Sequence, residues 1–285
     1  MMLSRRGIIS SGKLGGVSFS SFPVETDVLL MPFGAAKNTW IAGDLVNQRR
    51  ASDNNQRVIG TDGAPDYLFD TADWSDHTSA GADPAYASTV YDQSGNGYDA
   101  VQSTADKQPL VLDDGTLVFD GINDHISSPI TLTDGDNFTI ITVIKAGSNL
   151  FDGANRTLFG FVGNPYEFWC FSTSSVLAFR NLAGTTNSFS KAVIDDGSYH
   201  SIIIRYDSSV GLKVDVDGTN VPVGGVAMTQ TITPRSSNLF LGAVSASAGN
   251  ADLNSRHLSV LNGVTLSDAQ SLEVHNWILD RGALA

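Results

Sequence analysis

The sequence predicts an all-β protein, a β-sandwich of the jelly-roll type that ends in a short C-terminal helix. Only three of its 30 acidic residues are glutamates, and the 27 aspartates and 28 glycines suit turns better than helices. Alternating apolar residues are separated by Asp-Gly, Asn-Gly and Ser-Gly dipeptides, which are typical of strands joined by tight turns. Because no Pro-rich or low-complexity linker divides the chain, we expect one sandwich domain over residues 28–285 and an N-terminal arm over residues 1–27.

The first half of the chain contains few regular strand patterns. A first strand is predicted at 28–33, where Pro32 indicates an edge or an end. The segment 39–59 carries three of the arginines, which we expect to pair with carboxylates. Residues 62–84 are predicted to form a polar loop with one short helical turn. The segment 90–126 then combines turn dipeptides with an alternating apolar run at 117–126.

The second half contains short strands at close spacing. The segments 138–145 and 199–206 are rich in β-branched apolar residues on both faces, as inner strands are. Shorter strands are predicted at 158–162, 167–171, 176–180, 211–216, 239–242 and 256–261.

One helix is predicted at the C-terminal end of the chain. Ser267 and Gln270 have the spacing of a capping box, and Asp268 favours the positive end of the helix. Gly282 is a stop signal. Apolar residues between these limits provide a surface that can pack on the sandwich.

The bulk composition excludes several classes of function. A net charge of −13 and a pI near 4.5 argue against a nucleic-acid partner, because phosphate binding needs a basic surface. No segment approaches the ~18 apolar residues of a membrane helix, so we expect no membrane insertion. Cys170 is the only cysteine, which rules out an intrachain disulfide.

The segment LVFDGINDHI, residues 117–126, resembles the strand and turn that open laminin-G-like, concanavalin-type jelly rolls. Three later segments are similar to the same family in order and spacing: the strand pair at 199–221, the strand NLFLGAVS at 238–245, and the closing helix at 266–279. The resemblance implies a concanavalin-like β-sandwich over about residues 117–280.

The segment VYDQSGNGYDAVQ, residues 90–102, resembles a motif of one α-L-arabinofuranosidase family and of many phage and bacterial sandwich proteins. RRASDNNQRVIG, residues 49–60, resembles the block that precedes it there. The family's retaining mechanism would imply a glutamate nucleophile, and Glu167 is the candidate in this chain. The alternative is that Glu167 is an exposed strand residue. The family also carries adjacent cysteines at its sugar site, whereas here Cys170 stands alone.

A carbohydrate-binding surface would use aromatic rings that stack on sugar faces and polar neighbours that orient the sugar. The alternative for Trp169 is a place in the core, because the segment FWCF is apolar on both faces. The candidate residues are Trp74, Tyr98, Tyr166, Trp169 and Arg180.

Two loops contain oxygen-bearing side chains that could bind Ca²⁺, which takes six to eight oxygen ligands. The first set is Asp92, Asn96 and Asp99, and the second is Asp120, Asn123 and Asp124. The alternative is turn chemistry, because Asp and Asn side chains bind their own backbone in turns. No other cofactor is expected.

The first functional hypothesis is a non-enzymatic virion structural or adhesion protein, either a capsid decoration or a tail-associated component. It would belong to an oligomer or larger assembly, contact other virion subunits through the N-terminal arm, and bind host surface glycans through a lectin-like jelly roll. The alternative hypothesis is a glycoside hydrolase of the α-L-arabinofuranosidase type. The virion localisation depends on the resemblance of the 90–102 motif to phage proteins.

Overall fold

A computed structural model describes residues 28–30, 44–61, 69–130, 132, 137–162, 168–181, 185–225, 228, 238–243, 250–280 and 284. The predicted arm at 1–27 lies outside these residues, so the boundary between arm and sandwich stays a prediction. No helix within the described part of the chain is both long and apolar enough to cross a membrane.

The described residues form mainly short strands, as the abundance of turn residues predicts. The strands are β1 Val28–Leu30, β2 Asp44–Arg50, β3 Gln56–Gly60, β4 Ala85–Val90, β5 Ala100–Val101, β6 Leu110–Val111, β7 Leu117–Asp120, β8 Ile126–Ser128, β9 Asn137–Ala146, β10 Arg156–Val162, β11 Phe168–Ser172, β12 Val176–Asn181, β13 Thr186–Ser190, β14 Tyr199–Asp207, β15 Gly211–Val216, β16 Thr219–Val221, β17 Gly224–Gly225, β18 Asn238–Leu241 and β19 Asp252–Asn262. The α-helices are α1 Thr71–His77 and α2 Asp268–Asp280.

The strands pair antiparallel and form two layers. The front layer has the order β3-β2-β4-β5-β8-β18-β10-β11-β12-β13-β17. The back layer has the order β7-β19-β9-β14-β15-β16, with β1 also paired to β19. Strand β6 pairs with both β4 and β7 and so joins the layers.

The main core lies between the two layers. Phe138 on β9 meets Phe168 on β11 edge-to-face, with 5.0 Å between ring centroids, and stacks on Tyr206 of β14 at the same distance. All three rings are fully buried. Contacts of this kind between aromatic rings from opposite layers show that alternate residues of each strand face the core.

Helix α2 covers the outer face of the back layer, as the sequence predicts. Val274, Trp277 and Ile278 pack on apolar residues of β9, β14 and β19. The capping box is present, because the Ser267 N–H donates to Gln270 Oε1 (3.0 Å) and the Gln270 N–H donates to Ser267 Oγ (3.3 Å). The predicted stop at Gly282 lies outside the described residues.

The structure adds elements that the strand patterns did not show. Strands β2 and β3 form a hairpin whose turn places Asn54 in the left-handed region, at φ 59°. Strand β13 is mostly polar, yet buried and solvent-facing positions still alternate along it. Its two buried residues are Asn187 and Phe189, so an amide side chain occupies one of the positions where an apolar residue is expected. The last strand, β19, begins four residues earlier than the predicted 256–261 segment.

We expect Gly242→Ala to destabilise the fold more than Gly97→Ala does. Both glycines have positive φ, +85° and +77°, which strains any other residue. A Cβ on Gly242 would overlap the Phe119 ring and lie 3.0 Å from Asp124 O, whereas one on Gly97 would meet nothing within 4 Å. Overpacking adds about 1–3 kcal/mol to the backbone strain, so urea unfolding should separate the two variants by that amount. Equal losses in the two variants would contradict the packing around Phe119.

Candidate functional site

The outer face of the front layer presents one continuous line of paired residues, here termed the cross-strand row. Each member is the register partner of the next, across ten strands from β13 to β3. The row consists of Thr186, Arg180, Trp169, Gly160, Phe240, Ser127, Val101, Thr89, Asn47 and Val58.

Apart from the buried Gly160, the members of the cross-strand row whose side chains are described reach solvent, whereas the adjacent row faces the core. Arg180 and Thr186 are exposed, Val101 is 46% exposed, and Phe240 and Ser127 are half-buried. The adjacent row, which includes Phe179, Cys170, Phe159, Leu241 and Ile126, is buried. Because neighbouring strands lie about 4.8 Å apart, the five steps from Val101 to Arg180 span about 24 Å.

A hydrogen-bonded chain of polar side chains supports one part of this face. Arg49 Nε donates to Gln108 Oε1 (2.7 Å), and Gln108 Nε2 donates to Gln102 O (2.8 Å). Gln102 Nε2 lies 2.8 Å from His125 Nε2, and the His125 ring lies 6.0 Å from that of Phe240. These hydrogen bonds therefore link β2 to the loop before β8, and they orient the His125 ring beside Phe240.

The hydrogen bonds of His125 fix its tautomer. Gln102 Nε2 can only donate, so His125 Nε2 accepts and the ring proton lies on Nδ1, which donates to Asn123 O at 3.0 Å. Burial lowers the pKa of His125, which favours the same neutral ring. His125 thus acts as a fixed neutral side chain beneath the row.

The predicted sugar-binding residues occupy different places. The register pairs Trp169 with Arg180 on neighbouring strands, although the side chain of Trp169 lies outside the described residues. Tyr98 is 36% exposed and precedes β5, where its carbonyl accepts from Ser128 Oγ (2.7 Å). Trp74 lies on α1, is half-buried against the core, and donates from Nε1 to Val111 O (3.3 Å). Tyr166 lies outside the described residues.

The predicted nucleophile Glu167 also lies outside the described residues, so its surroundings stay untested. A retaining glycosidase needs two carboxyl groups about 5–5.5 Å apart. The ten members of the cross-strand row contribute apolar, hydroxyl, amide and guanidinium groups, and among these members there is no carboxylate.

The two predicted calcium loops use their carboxylates to bind backbone groups. Asp92 accepts from the N–H groups of Ser94 (2.9 Å) and Tyr98 (3.0 Å), and Asp99 accepts from the Asp92 N–H (2.8 Å). The Asn96 N–H donates to Ser94 Oγ at 3.2 Å. These bonds are the turn chemistry that the sequence offered as the alternative.

The second loop has the same character. Asp120 Oδ1 accepts from the N–H groups of Ile122, Asn123 and Asp124, at 2.8, 3.2 and 3.3 Å. Within the described part of the chain, no three His, Cys, Asp or Glu side chains are grouped so that they could hold a metal ion. Calcium binding by either loop stays a prediction.

Asp124 differs from the other carboxylates of these loops. It is 7% exposed, and its Oδ2 accepts from the Asp120 N–H at 3.1 Å. Burial, with a smaller contribution from the Asp120 carboxylate, raises the pKa of Asp124 to about 7. The Asp124 carboxyl therefore keeps its proton at pH values well above those at which an aspartate usually ionises.

We expect Asp92→Ala to lower the free energy of unfolding by about 1–3 kcal/mol, because two backbone N–H groups lose their acceptor. Urea unfolding with added calcium and with a chelator measures the loss. Turn chemistry predicts the same loss in both conditions, and Asn96→Ala, whose side chain is exposed, is the control. A loss that occurs only with calcium would instead assign this loop to metal binding.

Phe240, Ser127 and Val101 are members of the cross-strand row that the sequence reasoning missed. The signal was present in the segment NLFLGAVS, because alternation puts Leu239 and Leu241 on one face and Phe240 on the other. Strands β5 and β8, which carry Val101 and Ser127, have only two and three residues, too few for a pattern.

No protein-family model matches the chain, and no curated protein matches it in sequence. Solved structures do match. The chain is similar to a family 54 α-L-arabinofuranosidase soaked with a cyclic sulfate inhibitor, with 12% identity and a TM-score of 0.67. An arabinofuranosidase complexed with arabinofuranosyl-α-1,2-xylobiose matches at 11% identity and a TM-score of 0.66. Both matches cover 91% of this chain and 63% of the other, so the chain spans less than two thirds of these enzymes.

A second group of similar structures consists of botulinum neurotoxin binding domains. The binding domain of neurotoxin DC, in complex with rat synaptotagmin II, matches at 13% identity and a TM-score of 0.51, over 66% of this chain and 48% of the other. Identities this low show a shared fold alone. The predicted fold class is confirmed: the chain is a β-sandwich with a short C-terminal helix, and it shares this fold with both groups.

Proposed function

We propose that the protein is a carbohydrate-binding β-sandwich that holds a glycan along the cross-strand row. The observation that carries this proposal is the row of register partners over ten strands, from Thr186 to Val58, whose described members other than the buried Gly160 are exposed or half-buried. Its length of about 24 Å between Val101 and Arg180 suits a chain of sugars better than a single ring.

The chemistry of the cross-strand row supports sugar binding. Phe240 and Val101 offer apolar surface for sugar rings, while Ser127 offers a hydroxyl group for sugar hydroxyls. The only charged member of the row is Arg180, in a chain with a net charge of −13. The face therefore suits a neutral or carboxylate-bearing glycan.

The structural likenesses are compatible with this proposal. An arabinofuranosidase of similar fold is known in complex with an arabinofuranosyl-xylobiose. Binding is favoured over hydrolysis as the proposal for this chain because the row contains hydroxyl, amide and guanidinium groups but no acid. Hydrolysis through Glu167 remains the alternative, and an assay for released sugar distinguishes the two.

A panel of immobilised plant, bacterial and animal glycans tests the proposal. We expect Phe240→Ala to weaken binding about tenfold, equivalent to ~1.4 kcal/mol, and Val101→Ala to weaken it less. Leu272→Ala is the matched control, because Leu272 is 48% exposed, close to the 46% of Val101, but lies on α2 at the other side of the sandwich. Equal losses in all three variants, or no binding by the unmodified protein, would contradict the proposal.

The same panel decides between binding and hydrolysis. We expect the bound glycan to stay intact. We also expect the Glu167→Gln variant to bind it as tightly as the unmodified protein does. Sugar released by the unmodified protein but not by Glu167→Gln would establish the hydrolase alternative.

The narrower role as a virion structural or adhesion protein stays a prediction from the resemblance of the 90–102 motif. The same holds for assembly through the arm at 1–27, which lies outside the described residues. Comparing the oligomeric state of the full chain with that of a chain lacking residues 1–27 tests it, and an unchanged monomer in both would contradict it.

A further inference from the structure

Both ring nitrogens of His200 contact carboxylates. His200 is the second residue of β14 and is 6% exposed. Its Nδ1 lies 2.7 Å from Asp217 Oδ2, and its Nε2 lies 2.9 Å from Asp196 Oδ1. An ionised carboxylate can only accept, and a neutral imidazole can donate from one nitrogen alone. The two contacts together therefore need the imidazolium form, in which both ring nitrogens carry a proton.

The two carboxylates belong to different segments of the chain. Asp196 lies in the loop 195–198 that precedes β14, and Asp217 lies in the turn between β15 and β16. Asp217 Oδ1 also accepts from the Ser201 N–H at 3.0 Å, and the Asp217 N–H donates to Ser201 O at 3.0 Å. The His200 ring thus joins an exposed loop to a turn that β14 already holds.

The electrostatic surroundings favour the charged ring. Burial disfavours the imidazolium, but the hydrogen bonds to Asp217 and Asp196 outweigh it and raise the pKa of His200 above its ordinary value of 6.5. The contribution of this ion pair to stability is therefore complete below pH 6.5 and is lost as pH rises through the raised pKa.

Other groups near this cluster do not titrate with His200. His275 of α2 is the second histidine close to Asp217, and its Nδ1 lies 2.7 Å from the buried Ser201 Oγ. Burial lowers the pKa of His275, so this ring is already neutral over the pH range in which His200 loses its proton. The register partner of His200 on β9 is the apolar Ile144. In the loop itself, Asp195 Oδ2 is paired with Lys191 Nζ at 2.8 Å.

Loss of one proton from His200 breaks one of its two contacts. The side chain of Asp217 is 39% exposed and is also held by the Ser201 N–H, whereas that of Asp196 is 56% exposed. The more exposed carboxylate regains water at the lower cost. The remaining ring proton therefore stays on Nδ1, and Nε2 then presents a lone pair to the Asp196 carboxylate.

We propose that His200 is a pH-sensitive link: its imidazolium holds the loop 195–198 against the β15–β16 turn, and loss of the Nε2 proton releases the loop. Histidine suits this role because its charge changes close to neutral pH. The loop is held at acidic pH and is released as pH rises. The link involves no ligand, so its test is separate from that of the glycan proposal.

A matched turn at the other end of β14 provides the internal control. Asp196 Oδ1 accepts from the Ser198 N–H, and Asp207 Oδ1 accepts from the Ser209 N–H, both at 2.8 Å. Both turns are exposed. In the described part of the chain, a histidine contacts Asp196 but none contacts Asp207.

Nuclear magnetic resonance of the full chain tests the link from about pH 5 to about pH 9. We expect the His200 ring to lose its Nε2 proton with a midpoint above its ordinary pKa. With the same midpoint, the backbone ¹³Cα order parameters of Gly197 and Ser198 should fall from ~0.85 to below ~0.6. Those of Ser208 and Ser209 should not change. A His200 ring that is neutral throughout, or two turns with the same pH profile, would overturn the proposal.

The variant Asp196→Asn removes the exposed carboxylate without changing the buried ring. We expect it to lower the titration midpoint of His200, and we expect the order parameter of Gly197 to stop following pH. Asp207→Asn, the matched change at the other end of β14, should leave the His200 midpoint where it is in the unmodified protein. Equal His200 midpoints in the two variants would overturn the assignment.

Discussion

Replacing Arg205 by methionine is expected to lower the free energy of unfolding by about 3–5 kcal/mol. Arg205 lies on β14, and its guanidinium holds the buried Asp215 of β15 and the N-terminal Asp268 of α2, at 2.8 and 2.6 Å. Removing it leaves the Asp215 carboxylate, 5% exposed, without its counter-ion. Urea unfolding followed by tryptophan fluorescence measures the loss.

The double variant Arg205→Met with Asp215→Asn isolates the cause. It removes both buried charges, while the oxygen of the new amide can still accept from Asn220 Nδ2 and its NH2 group can donate to Ser271 Oγ, the two groups that bind Asp215 in the native protein. Much of the lost stability should return. Lys191→Met, which breaks a half-exposed pair with Asp195, should cost less than about 1 kcal/mol. A double variant as unstable as Arg205→Met would contradict the charge-pair explanation.

The second large effect is a pH dependence from Asp124. Burial keeps the Asp124 carboxyl protonated up to about pH 7 in the folded protein, whereas in the unfolded chain it loses its proton near its ordinary pKa of 3.8. Between these values the folded state binds the extra proton. The contribution to stability is complete below pH 3.8 and is lost as pH rises through about 7.

The effect is measured as a difference between the protein and Asp124→Asn. Because the pKa of Asp124 rises from 3.8 to about 7, the difference in unfolding free energy between the two proteins should change by on the order of 4 kcal/mol between acidic and neutral pH. The variant should be the more stable of the two at about pH 8. The comparison with the variant is needed because other groups also make stability depend on pH. Burial lowers the pKa values of His77, His125 and His275, so their contributions to stability increase as pH rises, opposite to that of Asp124.

Asp113→Asn is the matched control, because Asp113 is an exposed carboxylate of a neighbouring turn. Its stability should follow that of the unmodified protein at every pH. A parallel pH profile for Asp124→Asn would show that Asp124 is ionised in the folded protein and would contradict its burial.

The fold was predictable because its strongest local signals agree with its global arrangement. The β-branched segments 138–145 and 199–206 became the central pair β9 and β14, and the capping box at Ser267 begins α2. The elements that were missed include β5, β6 and β17, with two residues each, and the polar strand β13. Elements so short are stabilised by neighbours that are distant in sequence, which a local pattern does not contain.

The candidate site was less predictable. Trp169 and Arg180 were two of the five sugar-binding candidates predicted from the sequence, and the register pairs them on neighbouring strands. It could not find Val101 and Ser127, because their part in the cross-strand row depends on the pairing of β5 with β8. Trp74, another candidate, is half-buried and packs against the core next to Gly81. The residues of a row that crosses the strands are set by the pairing register, so they can be identified only once the pairing of the strands is known.

Amide chemical-shift mapping with the tightest-binding glycan of the panel tests directly whether a glycan binds along the cross-strand row. We expect the largest shifts on β5, β8 and β18, at Val101, Ser127 and Phe240. Shifts confined to α2 and the back layer, or spread evenly over the chain, would contradict it.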